Sequence, residues 1–163
     1  MAQAHIPDCE FCKISTKDAP AELVFESDHA MAFIPLRPAA VGHTLVIPKA
    51  HVPNLYELGV DTGARLMEAA IRVANAIKEA LSPDGMNLIT SAGSAATQTI
   101  FHIHLHLVPR WHGDHIGNLW PPSEPWSEAT TEGVAGAIRD AVVMRSSGDA
   151  NQRPHKKGEV DHK

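Results

Sequence analysis

His102, His104 and His106 stand two residues apart, separated by Ile103 and Leu105 and followed by Leu107 and Val108. In an extended strand successive side chains point to opposite faces, so three imidazoles share one face and three aliphatic chains the other. One buried histidine is commonly a satisfied structural group, but three in a row on one face point to chemistry. Imidazole is neutral and nucleophilic near pH 7, passes protons and ligates metals. The chain's two cysteines, Cys9 and Cys12, form a Cys-x-x-Cys pair. In a reducing compartment that spacing serves metal binding or thiol redox work. A redox pair ordinarily follows a strand, whereas Pro7 and Asp8 precede this one, which favours a metal.

These groups need a frame. The 163 residues, 44% hydrophobic and 20% charged, suit one domain with its own core. A net charge of −5 argues against a general nucleic-acid surface, yet permits a nucleotide held by a few donors. No apolar run reaches membrane-spanning length, and Met1 to Pro7 lack a signal-peptide pattern, so no membrane partner and a cytoplasmic location are expected. Segments 22–26 and 30–34, joined by Ser27-Asp28-His29, predict a hairpin closed by Pro35 and Pro38. A β-branched run over 43–47 ends at Pro48. Leu66, Ala70, Val73, Ile77 and Leu81 recur at three- and four-residue steps, which predicts a helix over 62–81. Strands are expected over 86–90 and 99–108, the latter closed by Pro109, with a small-residue loop between them. Val134, Ile138 and Val142 predict a second helix. The expected architecture is α+β: an antiparallel sheet of about five strands with one long helix packed on it. It should occupy residues 1–120, followed by a partly helical extension over 121–145 and a disordered tail over 146–163.

The run His102–Val108 resembles the signature of the histidine triad (HIT) superfamily of nucleotidyl hydrolases and transferases. Gly42–His51 is similar to that family's upstream strand, and Gln98-Thr99 also fits. Cys9-Glu10-Phe11-Cys12-Lys13-Ile14 resembles the start of many bacterial members. Pro109-Arg110-Trp111 with Gly113-Asp114 is similar to the branch acting on dinucleoside polyphosphates. The resemblance spans residues 8–120 and implies that His104 is the nucleophile, forming a nucleotidyl-histidine at an α-phosphate. Its other ring nitrogen would be held by a backbone carbonyl of the same strand. His106, on the same face, would bind phosphate oxygens as a protonated imidazole, with Gln98, Thr99 and His43 as further donors. For His43 a structural hydrogen bond is an equal alternative. The resemblance also implies zinc on Cys9, Cys12, His51 and His102, which makes His102 structural, and a homodimer joined through the helix and a strand edge.

Two positions depart from the family pattern. Pro35 stands where an Asp or Asn usually takes the ribose hydroxyls, and the shorter Ser91 stands where an Asn or Gln is common. Phe33, Leu36 and Ile14 could wall a base pocket or be plain core. Trp111, Trp120 and Trp126 suit a dimer contact, a substrate lid or core. Two competing functions follow from the residues: a catalytic zinc held by the three histidines, and a nucleotide sensor that binds without turnover.

Overall fold

Ala-Met-Ala-Phe-Ile is apolar at every position, so a strand made of it must be covered on both faces. The computed structural model, which describes residues 5–120 and 122–149, places it centrally in one half of the sheet. The sheet contains β1 (Glu22–Glu26), β2 (Ala30–Ile34), β3 (Thr44–Pro48), β4 (Gly85–Ile89) and β5 (Leu105–Arg110). Its order is β1-β2-β3-β5-β4 and every pairing is antiparallel. Before it comes the short helix α1 (Glu10–Ser15), and the long helix α2 (Val60–Leu81) lies between β3 and β4. Contacts divide the chain into two compact units, Met1–Leu119 and Trp120–Lys163. The second holds α3 (Glu128–Asp149), whose first turn is capped by Ser127 Oγ accepting from Thr130 N. No described helix is long and apolar enough to cross a membrane.

Strand alternation sorts the core onto two faces. Ala30, Ala32, Val46, Ile103, Leu105 and Leu107 pack against Leu66, Ala70, Val73 and Ile77 of α2. Met31, Phe33, Leu45 and Ile47 face the other way and meet Phe11 of α1. The three histidines share this second side by parity, so the long helix and the chemistry occupy opposite faces.

The expected strand over 99–108 is shorter and shifted. The ladder begins at Leu105, so His102 and His104 precede the strand. They keep the alternating pattern without ladder bonds because other groups hold them, as described below. Pro109 does not close the strand, which continues to Arg110. Pairing with β3 stops at Leu107, so a proline after that point leaves no β3 carbonyl short of a donor. The predicted second helix is present and runs to Asp149, so residues 146–149 are helical and not tail; residues 150–163 of the expected tail lie outside the described residues.

Candidate functional site

Helix α1 begins at the cysteine pair: Cys9 is its N-cap and Cys12 sits buried in its first turn. This brings both sulfurs to His102 and His51. One ligand atom from each of the four residues lies within 4.8 Å of the others. Cys9 Sγ is 3.5 Å and Cys12 Sγ 3.7 Å from His102 Nδ1, while Cys12 Sγ is 3.4 Å from His51 Nδ1. A tetrahedral ion with metal–sulfur bonds of about 2.3 Å and metal–nitrogen bonds of about 2.0–2.1 Å spans sulfur–nitrogen edges of roughly 3.6 Å. The donor set therefore fits a metal ion. His102 Nε2 donates to Pro48 O at 2.9 Å, which turns Nδ1 toward the sulfurs, the outer bond a metal-bound imidazole typically makes. Burial pushes His102 down to about 4, so its ring is neutral and able to ligate. Burial also pushes the Cys12 thiol up, against the opposing pull of the Ile6 N–H on its sulfur.

The remaining histidines form a directed chain. His104 Nδ1 donates to His102 O at 2.8 Å, so Nε2 carries the lone pair. Ala39 N donates to His43 Nδ1 at 2.9 Å. A neutral His43 accepting there bears its proton on Nε2, which lies 2.9 Å from His106 Nδ1. His106 Nδ1 then accepts, and a neutral His106 bears its proton on Nε2. Burial, helped by His104 and His43, pushes His106 down to about 4; burial also lowers His43 and His104. The expected imidazolium at His106 is thus corrected to a neutral imidazole with a fixed donor end. Its ring lies 4.9 Å, centroid to centroid, from that of His104.

Sequence reasoning missed Phe11. Its ring meets His104 edge-on at 5.2 Å, His102 at 5.9 Å and Phe33 at 5.4 Å. The signal was its place between the two cysteines, since any metal holding them must also fix the residue they flank. Phe33 lies buried beneath Phe11, and Ile14 packs partly buried against the same cluster. Leu36 is fully exposed and walls nothing. Gln98 is buried, with Oε1 accepting from Gly93 N and Nε2 donating to Pro53 O and Ile100 O. Both of its amide hydrogens are committed to backbone, so it shapes the loop and is not a spare phosphate donor. Thr99 is exposed and Ser91 half-buried on that loop. Arg110 donates to both carboxylate oxygens of Asp114, to Asn87 Oδ1 and to Gly117 O. Its guanidinium holds Asp114 well below the usual carboxylate range. This pair pins the loop after β5. The open cavity of about 380 Å³ beside it shares no residue with the histidine cluster. Trp111 is half-buried there, whereas Trp120 and Trp126 are exposed.

The family model described as HIT domain matches residues 16–113, a stretch that includes the whole histidine chain. The chain belongs to the HIT family. The HIT match begins after both cysteines. SMU.412c from Streptococcus mutans has a crystal structure that superimposes with a TM-score of 0.79 at 37% identity, covering 87% of this chain and 89% of that one. A zinc-bound histidine triad family protein from Mycobacterium smegmatis gives 0.65 at 41% identity, over 71% of this chain and 84% of that one. The adenylylsulfatase HINT3 of Arabidopsis thaliana is 38% identical over 103 residues, which is 63% of this HIT chain and 52% of that protein.

Proposed function

We propose that this HIT protein cleaves nucleotides at the α-phosphate through a covalent nucleotidyl-histidine on His104. The observation that carries the reading is the His104 Nδ1–His102 O bond, which fixes the proton on one ring nitrogen and the lone pair on the other. Nε2 attacks phosphorus, an N–P bond forms, and the bond to the leaving group breaks with its electron pair. Water then attacks the same phosphorus and gives up a proton to solvent, the N–P bond breaks with its electron pair returning to Nε2, and a nucleoside monophosphate leaves with His104 restored. His106 serves as a neutral Nε2–H donor to a phosphate oxygen, with its direction set by His43. A HIT relative named for adenylylsulfatase activity supports a substrate with an activated α-phosphate.

The metal proposed at Cys9, Cys12, His51 and His102 is zinc, because two thiolates and two imidazoles in a closed tetrahedron suit it. With all four of these residues as ligands, such an ion would have no open position, and its role would be to hold structure rather than to activate water. The three-histidine catalytic metal loses support, because the Nδ1 atoms of His102, His104 and His106 go to three different partners. We also propose a homodimer: β4 is an edge strand with Leu88 exposed, and Met67 and Ile71 form an exposed apolar stripe on α2.

The test is nucleoside monophosphate release from diadenosine tetraphosphate, adenosine phosphoramidate and adenylyl sulfate, by the native protein and His104→Ala. Loss of at least about 10⁴-fold in the variant is expected. Equal turnover by both overturns the covalent route, and binding without turnover by the native protein establishes a sensor instead.

A further inference from the structure

His104 lies outside the β-ladder, yet a nucleophile must be held still. Pairing of β4 with β5 ends at Ile89 opposite His106. One further antiparallel step would set Thr90 opposite Leu105, and the next would set Ser91 opposite His104, but the ladder has stopped. The segment is tied from the β3 side by Ile103 N donating to Val52 O at 2.7 Å and His102 Nε2 donating to Pro48 O at 2.9 Å. From the β4 side a side chain takes over where the main chain gives out. Thr90 Oγ1 donates to His104 O at 2.9 Å, and Thr90 is half-buried.

We infer that Thr90 is a positioning residue for the nucleophile: its hydroxyl fixes the peptide unit that carries the His104 ring. This inference rests on the reading of His104 given above. The imidazole hangs between two peptide carbonyls. That of His102 takes its Nδ1 proton, and that of His104 is anchored by Thr90. Freeing the second lets the residue tilt about the first, and the lone pair on Nε2 swings off the line of attack. Thr90 touches no phosphate in this scheme, so its loss acts on the chemical step and spares ground-state binding. Threonine suits the post because its branched Cβ restricts the rotamer that aims the hydroxyl.

The experiment compares the native protein with Thr90→Val and Thr90→Ser. Valine keeps the shape and removes the donor, while serine keeps the donor. Two readouts are taken: kcat and KM on the best of the three nucleotides above, and the ring nitrogens of His104 by long-range proton–nitrogen NMR. Thr90→Val is expected to lower kcat about tenfold with KM within about twofold, and Thr90→Ser to restore most of the loss. The spectrum of Thr90→Val should show shifted or mixed tautomer signals for His104, with those of His43 and His106 less changed. Native kcat and an unchanged His104 spectrum in Thr90→Val overturn the inference. So does a parallel fall in kcat, binding and melting temperature that serine does not rescue, which marks a purely structural bond. If the native protein shows no His104-dependent turnover, the functional reading fails, and the spectrum alone then decides whether Thr90 positions the ring.

Discussion

His106 and its neighbours carry an electrostatic consequence that can be measured without a substrate. His106 is pushed down to about 4, and His43 and His104 are also lowered, all by burial first. An unfolded chain holds these imidazoles near the ordinary value of about 6.5. Above that value both states are neutral and the full stability is present. For His106, between about 6.5 and about 4 only the unfolded chain takes up the proton, so this contribution to stability falls as pH falls, then levels off, and the lowered His43 and His104 act in the same direction. A thermal midpoint followed from about pH 8 to about pH 4 should drop mainly in that window, and His106→Gln should flatten the drop. At this scale the clustered residues were legible: alternation put His102, His104 and His106 on one face, and the cysteine spacing pointed to the group whose donor atoms the structure gathers with His51 and His102. What could not be read was hydrogen-bond direction. The tautomer of His106 depends, through His43, on Ala39 N, and the employment of Gln98 depends on Pro53 O, neither of which lies near its dependent residue in sequence.

Among the elements, α2 and strands β1 to β4 followed their sequence patterns to within two residues, whereas β5 begins six residues later than expected. Helix α1 spans six residues, too few for a period to show, and it exists to deliver two sulfurs and Phe11. The early end of the histidine ladder was equally hidden, since the bonds replacing it come from Pro48, Val52 and Thr90. Two outcomes belong to this level. If the proposed metal joins Cys9 and Cys12 to His51 and His102, treating the purified protein with a chelator should free α1 and residues 101–104 together. Hydrogen exchange should then show their protection falling at least about tenfold while α2 keeps its own. The second concerns Gly42, which leads into β3 with φ of +74° beside Leu81 and Pro109. Gly42→Ala should cost about 1–2 kcal/mol from left-handed backbone alone, read from chemical denaturation.

Across the first unit, the sheet works as a partition: α2 and the larger apolar cluster lie on one side, α1 and the histidines on the other. Among the described residues, its two outer strands, β1 and β4, keep unpaired edges. If β4 and the α2 stripe receive a second copy, light scattering should give the mass of two chains. Met67→Glu combined with Ile71→Glu should raise the dimer dissociation constant at least about 100-fold. Leu107 is fully buried at the centre of the helix-side cluster. Leu107→Ala should cost about 2–5 kcal/mol in the same denaturation measurement while leaving the candidate metal-binding cluster of Cys9, Cys12, His51 and His102 in place. The layered architecture was legible because parity and helical period together say which faces must be covered. Nothing in the pattern says what an exposed edge meets.

The chain of imidazoles takes its polarity from the peptide N–H of residue 39. A side-chain donor in that place could be lost by many substitutions, and a single base change would put the relay at risk. A main-chain donor is supplied by every residue type except proline. Replacing Ala39 by any residue but proline therefore keeps this donor, and with it the place of the proton at the far end of the chain, on His106. Ala39→Pro is the one replacement there that withdraws the donor, and it should leave His106 without a fixed tautomer.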